Sequence, residues 1–213
     1  MSNPIKLSAR LAACAALVRN GKRLADVGCD HGYVPASLVL DGRITSAVAS
    51  DINAAPLESC RRLVRDYGLD DKITCVLSDG LQNVDGDCVD DILLAGMGGE
   101  LIADILQNCP FASEKHISIN AMTHPEIARR WLYEHGFEIA NDIIVPEGRH
   151  HYSVLDAHYT GVVTGADDFR CFLGEISDFS DREFFIHLLN YLHNKQKGGE
   201  DYTAVIAEIE KRL

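Results

Sequence analysis

Apolar residues recur at helical spacing over residues 7–18, LSARLAACAALV, where Ser8 is placed to cap the first turn. Residues 23–28 then read as a short buried strand. A helix is expected from about Tyr33 to Leu40, with Pro35 in its first turn, where a missing N–H costs nothing. The same alternation repeats. SAVASDIN, residues 46–53, reads as a second strand ending in Asp51, and a helix over about 54–67 starts near Pro56 and stops at Gly68. KITCVL, residues 72–77, is a third strand turned by Ser78-Asp79-Gly80. VDDILLA, residues 89–95, is a fourth, running directly into Gly96-Met97-Gly98-Gly99 and a helix from about Glu100 to Asn108. HISINAM, residues 116–122, is a fifth, and Pro125 opens a helix that carries Arg129, Arg130 and Trp131 and ends at Gly136. FEIANDIIVPE and HHYSVLDAHY close the series as a pair of strands joined at Gly148 and expected to run antiparallel.

Strands alternating with helices at this spacing predict an α/β fold with a mostly parallel sheet and helices on both faces. Beyond about Gly165 the pattern changes to two amphipathic helices, DREFFIHLLNYLHNKQK and EDYTAVIAEIEKRL, separated by Gly198-Gly199. Residues 1–163 are therefore expected to form the ligand-binding domain and 164–213 a helical C-terminal extension.

Ligands in such sheets bind outside the carboxyl ends of the strands, so the residues there carry the chemistry. The central stretch is LADVGCDHGYVP, residues 24–35. A strand, a glycine turn and a helix start form a cradle for a nucleotide-like ligand, because glycine admits close backbone approach and the helix end offers free N–H groups. A dinucleotide fold places G-x-G-x-x-G here to seat a pyrophosphate. This chain instead has D-x-G-x-x-x-G, with Asp26, Gly28 and Gly32. A carboxylate two residues before the first glycine repels a diphosphate and suits a cationic amino-acid group. That points to S-adenosylmethionine (SAM), whose sulfonium and ammonium are both positive, and away from a nicotinamide dehydrogenase. Asp51, 25 residues after Asp26, is placed to accept both ribose hydroxyls, with Ile52 beside it. Asp79-Gly80 is placed to accept from an adenine amino group while Leu81 covers the ring. Ala95 and Gly96 are expected to border the cofactor, and Gly96-Met97-Gly98-Gly99 stands where the acceptor would approach the methyl group. Each part alone has a structural reading as a cap, a turn or a packing residue, including Cys29 and His31 in the loop. The four in order at successive strand ends point to one site.

Composition changes this picture in two respects. The net charge is −12, from 20 basic and 32 acidic residues, which disfavours a polyanionic substrate on global charge. Residues 1–23 nevertheless hold Lys6, Arg10, Arg19, Lys22 and Arg23 and no acid, giving a local basic segment able to steer a polyanion. The seven cysteines are odd in number with no C-x-x-C, and no secretory leader is evident, so reduced thiols in a cytoplasm are expected. No apolar run is long enough to cross a bilayer, so no membrane association is expected. His150-His151 has no cysteine or glutamate at ligand spacing, and His187 and His193 are six apart on a helix, so no metal is expected.

The ordered set LSARL, ADVGCDHGYVP, DGL after the third strand, AGMGG after the fourth and the later PEGRHHYSV resembles the bacterial TrmK family, SAM-dependent methyltransferases acting on N1 of adenine 22 in tRNA. The likeness covers residues up to about 160. It departs from the family pattern at INAMTH, where family members tend to have a more apolar strand ending in L-Q-P, and in a short, partly acidic tail. The resemblance implies a Rossmann-like class I methyltransferase with SAM as cofactor and tRNA as partner. Adenine N1 carries an in-plane lone pair, so no strong general base is required, and proximity and orientation supply much of the acceleration. Asp30 is the expected stabiliser of the cationic product ring, and Gly96, Met97 and Gly98 line the reacting centre. Met97 or Tyr33 would lie against the flipped base, with Gly99 and Tyr152 near it. Arg10, Arg129, Arg130 and Arg149 are expected phosphate contacts, Arg10 also bordering the cofactor. Two other readings stay open from the residues alone: a methyltransferase for a small molecule or another RNA, and a non-catalytic SAM-binding module that uses the helical tail for a partner. Basic residues gathered on the rim of the SAM cleft favour RNA, and a sealed GMGG mouth favours the module.

Overall fold

In the computed structural model, residues 4–213 are described. Helix α1 (Ala9–Leu17) starts on the Ser8 hydroxyl, which accepts from the Leu11 N–H. Strands β1 (Arg23–Val27), β2 (Ser46–Asp51), β3 (Ile73–Leu77), β4 (Asp91–Gly98) and β5 (His116–Thr123) alternate with helices α2 (Tyr33–Leu40), α3 (Ala54–Asp66), α4 (Gly99–Gln107) and α5 (Pro125–Glu134). Strands β6 (Phe137–Glu147) and β7 (His150–Tyr159) form the closing hairpin. All seven strands lie in one sheet in the order β3-β2-β1-β4-β5-β7-β6. The first five run parallel, and β7 runs antiparallel to both β5 and β6, so the closing pair is antiparallel as the sequence pattern predicts.

The strand runs are apolar on both sides because both faces are covered. On one face Ile102, Leu106, Ala128 and Leu132 of α4 and α5 pack onto Ile92, Leu94 and Ile117. On the other, Cys14, Val34, Leu38, Leu57 and Cys60 of α1, α2 and α3 pack onto Leu24, Ala49 and Leu93. Asp91, at the start of β4 and fully buried, accepts from the backbone N–H and guanidinium of Arg19, while Asp90 is bound by Arg23. Arg23 beside it holds the Asp90 carboxyl well below the usual carboxylate range. Two cations of the basic segment are thus used in folding: Arg19 and Arg23 are tied down at the starts of the central strands, at the end of the sheet opposite the cleft.

Two boundaries differ from expectation. Strand β4 does not stop at Ala95. It continues through the glycine run to Gly98, and its pairing with β5 skips Gly96 and Met122, so the strand bulges where the site opens. Gly96 sits at φ +88°, a conformation that glycine adopts without penalty. The tail also contains a short helix missed by periodicity, α6 (Asp168–Leu173), before α7 (Arg182–Gln196) and α8 (Thr203–Arg212). At six residues α6 is too brief to show a repeat, and its N-cap, Asp167, accepting from the Arg170 N–H, was its only local signal. The tail has its own small core, with Phe185, Leu192, Val205 and Ile209 buried and the Phe179 and Phe185 rings stacked at 4.2 Å.

Candidate active site

The ends of β1, β2, β3 and β4 open into a cleft of about 540 Å³. Its floor is the turn after β1. Cys29 N–H donates to the Ser50 carbonyl, Gly32 N–H donates back to Cys29, and Asp30 takes a left-handed conformation at φ +50°. Asp51 braces the neighbouring loops, its carboxylate accepting from the Asn53 N–H at 2.8 Å and the Asp30 N–H at 3.4 Å. Ser78 N–H donates to the Asp51 carbonyl, which places Asp79 and Gly80 on the same rim. The bulged Gly96 and Met97 complete the wall beside Leu101 and Met122.

Asp26 is the electrostatic centre of this cleft. It is buried and lines the cavity, yet its carboxylate accepts no hydrogen bond from the described residues. Burial, with a smaller contribution from Asp51, pushes its carboxyl up to about 7. A buried carboxylate facing a cavity without a partner is a site for a cation. Asp51 and Asp79 line the same cleft at the next strand ends, so three acids face one cavity.

Of the residues expected to hold the cofactor, Arg10, Asp26, Gly28, Cys29, Asp30, His31, Asp51, Ile52, Asp79, Gly80, Ala95 and Gly96 line the cleft. Gly32 and Leu81 do not. Leu81 turns into the core below α4, as an apolar side chain following a polar turn does when a core face is within reach. Gly32 has a packing role: a Cβ there would come within 2.3 Å of Cys60 Sγ. Cys29 is buried at the cleft floor, and Cys60 Sγ lies 3.5 Å from Cys75 Sγ in the packing beneath it. A hydrogen bond with the Cys29 thiol, reinforced by burial, pushes Cys60 up to about 12, far from a reactive thiolate.

The expected substrate residues divide. Tyr33 and Met97 line the cleft, and Asp30 stands exposed on its rim with His31 Nε2 3.6 Å from its carboxylate. Gly98 and Gly99 lie behind the wall. A Cβ at Gly99 would meet the His124 carbonyl oxygen at 1.9 Å, so this glycine lets the start of α4 press against the α5 entry. Arg129 is not a phosphate contact. It is fully buried, pairs with Asp142 through both Nε and Nη2, and donates to Ser153 and to the carbonyls of Cys171 and Phe172. Helical spacing turned it inward, where it bolts the hairpin and the tail to the sheet. Arg130 is likewise engaged, bonding the Ala166 carbonyl and Asp168. Arg149 and Tyr152 border a second cleft beside the first.

Asn120 is a site residue that sequence reading missed. Fully buried on β5, it donates to the Ser153 carbonyl and accepts from Arg10 Nη1 at 2.8 Å. Arg10 N–H in turn bonds Glu147, and this bond and Ser8 hold the Glu147 carboxyl below its usual range. The polar residue in INAMTH therefore aims Arg10 across the cleft. Among basic residues near the mouth, Arg62 and Arg149 make no hydrogen bond or ion pair among the described residues; Arg62 shares a groove with His31 and Tyr33.

The fold and the cleft define a SAM-type methyltransferase, and the methyltransferase-domain family profile matches residues 7–155. A Bacillus subtilis relative, tRNA (adenine(22)-N(1))-methyltransferase, is 34% identical over 173 residues, 77% of this chain and 73% of that protein. The crystal structure of B. subtilis m1A22 tRNA methyltransferase TrmK aligns with TM-score 0.80 at 27% identity, covering 98% of this chain and 96% of that one. Mycoplasma capricolum TrmK in complex with S-adenosyl-homocysteine aligns with TM-score 0.79 at 25% identity, covering 97% and 94%. The chain belongs to the tRNA (adenine(22)-N1)-methyltransferase family.

Proposed function

We propose that this protein methylates N1 of an adenine in tRNA, the adenine at position 22 named for its B. subtilis relative, with SAM as donor. The observation that carries the reading is the unpartnered carboxylate of Asp26 in a cleft whose rim repeats an acid at the ends of β1, β2 and β3 and a glycine bulge at β4. SAM supplies an electrophilic methyl group when bound. The chain's residues supply placement. Asp26, Asp51, Asp79 and Gly80 orient the donor, while Gly96 and Met97 leave room for a base to approach along the wall. Tyr33 or Met97 supports the base face. Adenine N1 attacks through its own lone pair, so no side chain has to remove a proton first; positioning dominates. The methylated ring is cationic until it loses a proton, and Asp30, exposed at the mouth, stabilises that charge.

Arg10 borders the cleft, and Arg62 and Arg149, which have no ion pair among the described residues, supply cations for phosphates from the neighbouring grooves. That pattern supports an RNA substrate in spite of the net charge of −12. It also supports a cytoplasmic setting, where tRNA is found. Incubation with SAM and unmodified bacterial tRNA, followed by digestion and mass spectrometry, should yield N1-methyladenosine; a protein that binds SAM but gives no methylated nucleoside from tRNA overturns the reading.

A further inference from the structure

A second cleft, of about 640 Å³, opens beside the first between the end of β5, the β6–β7 hairpin and the tail helices. Met122, skipped by the β4–β5 pairing and 39% exposed, lines both, so the two spaces adjoin beside the bulged Gly96 and Met97. Tyr152 forms the other bridge: it lines the second cleft, and the Arg10 guanidinium of the first lies 5.6 Å from its ring centroid.

The walls have an uncommon composition for surface. Tyr152 and His150, with centroids 6.1 Å apart, line the cleft from the hairpin, and Tyr191 lines it from the tail, backed at 6.3 Å by the buried Phe172 of the tail core. Arg149, without an ion pair among the described residues, is a further lining residue. Acidic Glu126 is not free, since it accepts from Tyr191 Oη and bonds His124 Nδ1. Flat aromatic faces with one such guanidinium among them are what a single unstacked nucleotide requires: stacking for the base and a bidentate cation for its phosphate. An aliphatic peptide or a lipid would gain little from that arrangement.

We propose that this cleft takes the base of a nucleotide adjoining the target adenosine, with Tyr191 as a stacking surface and Arg149 on the phosphate. The inference rests on the tRNA methyltransferase reading and deepens it. Its consequence is that flipping the target adenosine is accompanied by extrusion of a neighbour, held by the tail helices. The tail thereby becomes part of the substrate site.

The test uses the full-length protein, SAM and tRNA transcripts in which the base on either side of the target adenosine is removed to leave an abasic sugar. With wild-type protein, one of the two abasic transcripts should lose about tenfold in kcat/KM, the loss expected for one stacked base. Tyr191→Leu should lose about as much on intact tRNA and nothing further on that abasic transcript, whereas Tyr191→Phe, which keeps the ring and gives up only the hydroxyl bond to Glu126, should still distinguish the intact from the abasic transcript. Equal methylation of the intact and both abasic transcripts overturns the inference while leaving the methyltransferase reading standing, as does an additive loss in Tyr191→Leu. No methylation of intact tRNA by SAM-binding wild-type protein overturns both. The abasic arm needs no variant to fold.

Discussion

Replacing Asp26 with asparagine should make the protein more stable and a worse SAM binder, and the structure sets the size of both effects. Burial raises the Asp26 carboxyl from its ordinary value near 3.8 to about 7 in the folded protein. Between those values the folded state holds a proton that the unfolded chain has released, so stability falls as pH rises through this window and levels off above about 7. A shift of about three pH units corresponds to about 4 kcal/mol of destabilisation at alkaline pH. The neutral amide removes the charge but leaves a buried polar group, so a net gain of about 2 kcal/mol is expected near pH 8. That is about 4–8 °C in Tm for a chain of this size. SAM binding should respond in the opposite sense. An ammonium ligand needs the ionised carboxylate, so wild-type affinity should fall below about pH 7 by up to about tenfold per unit. The asparagine variant should bind about 10–100-fold more weakly and with little pH dependence, as expected for loss of a charged hydrogen bond. Thermal unfolding without ligand and calorimetric titration of SAM, each across about pH 5.5–8.5, read both halves. An apo variant less stable than wild type near pH 8, or wild-type SAM affinity flat from about pH 5.5 to 7.5, would refute the assignment of Asp26 as a strained anion awaiting a cation.

Arg129→Ala should cost about 3–5 kcal/mol in denaturant unfolding, because Asp142 is left buried without its cation; a variant of unchanged stability but weakened RNA binding would restore Arg129 as a phosphate contact. Gly99→Ala should destabilise by more than about 3 kcal/mol or prevent folding, while Gly148→Ala, whose Cβ meets nothing within 4 Å, should cost only about 1–2 kcal/mol for its positive φ. Equal effects at the two positions would show that the contact between Gly99 and the His124 carbonyl is not tight. Arg62→Ala and Arg149→Ala should each weaken tRNA binding and reduce the slope of log affinity against log salt by about one, leaving SAM affinity unchanged. An unaltered salt slope in both would remove them from the RNA path.

Strand order and the donor cleft were legible because both depend on local patterns. Apolar runs buried on both faces mark parallel strands, and ligands gather where those strands end, so Asp26, Asp51, Asp79 and Gly96 could be placed without coordinates. What stayed hidden depends on side-chain direction and on pairing across long sequence separations. Arg129 and Arg130 are neighbours on one helix, yet one is sealed against Asp142 and the other reaches Asp168, which no count of basic residues distinguishes. Arg19 and Arg23 form a basic segment in sequence but ion pairs in space. Leu81 follows the polar turn that borders the cleft and points away from it. Asn120 offered one signal, an amide set among the apolar residues Ile117, Ile119 and Ala121 of a strand buried on both faces. A buried polar residue in such a run needs a partner, and here the partners are Arg10 and Ser153, each far away in sequence.

The measurement that bears most directly on this account is primer extension across tRNA incubated with the protein and SAM. N1-methylation blocks the pairing edge of adenine, so reverse transcriptase should arrest beside one adenosine, the one corresponding to position 22. The arrest should require SAM and should vanish both when that adenosine is replaced by guanosine and when Asp51 is replaced by alanine. Full-length extension with wild-type protein and SAM, or arrest that persists after the adenosine is replaced, would contradict it.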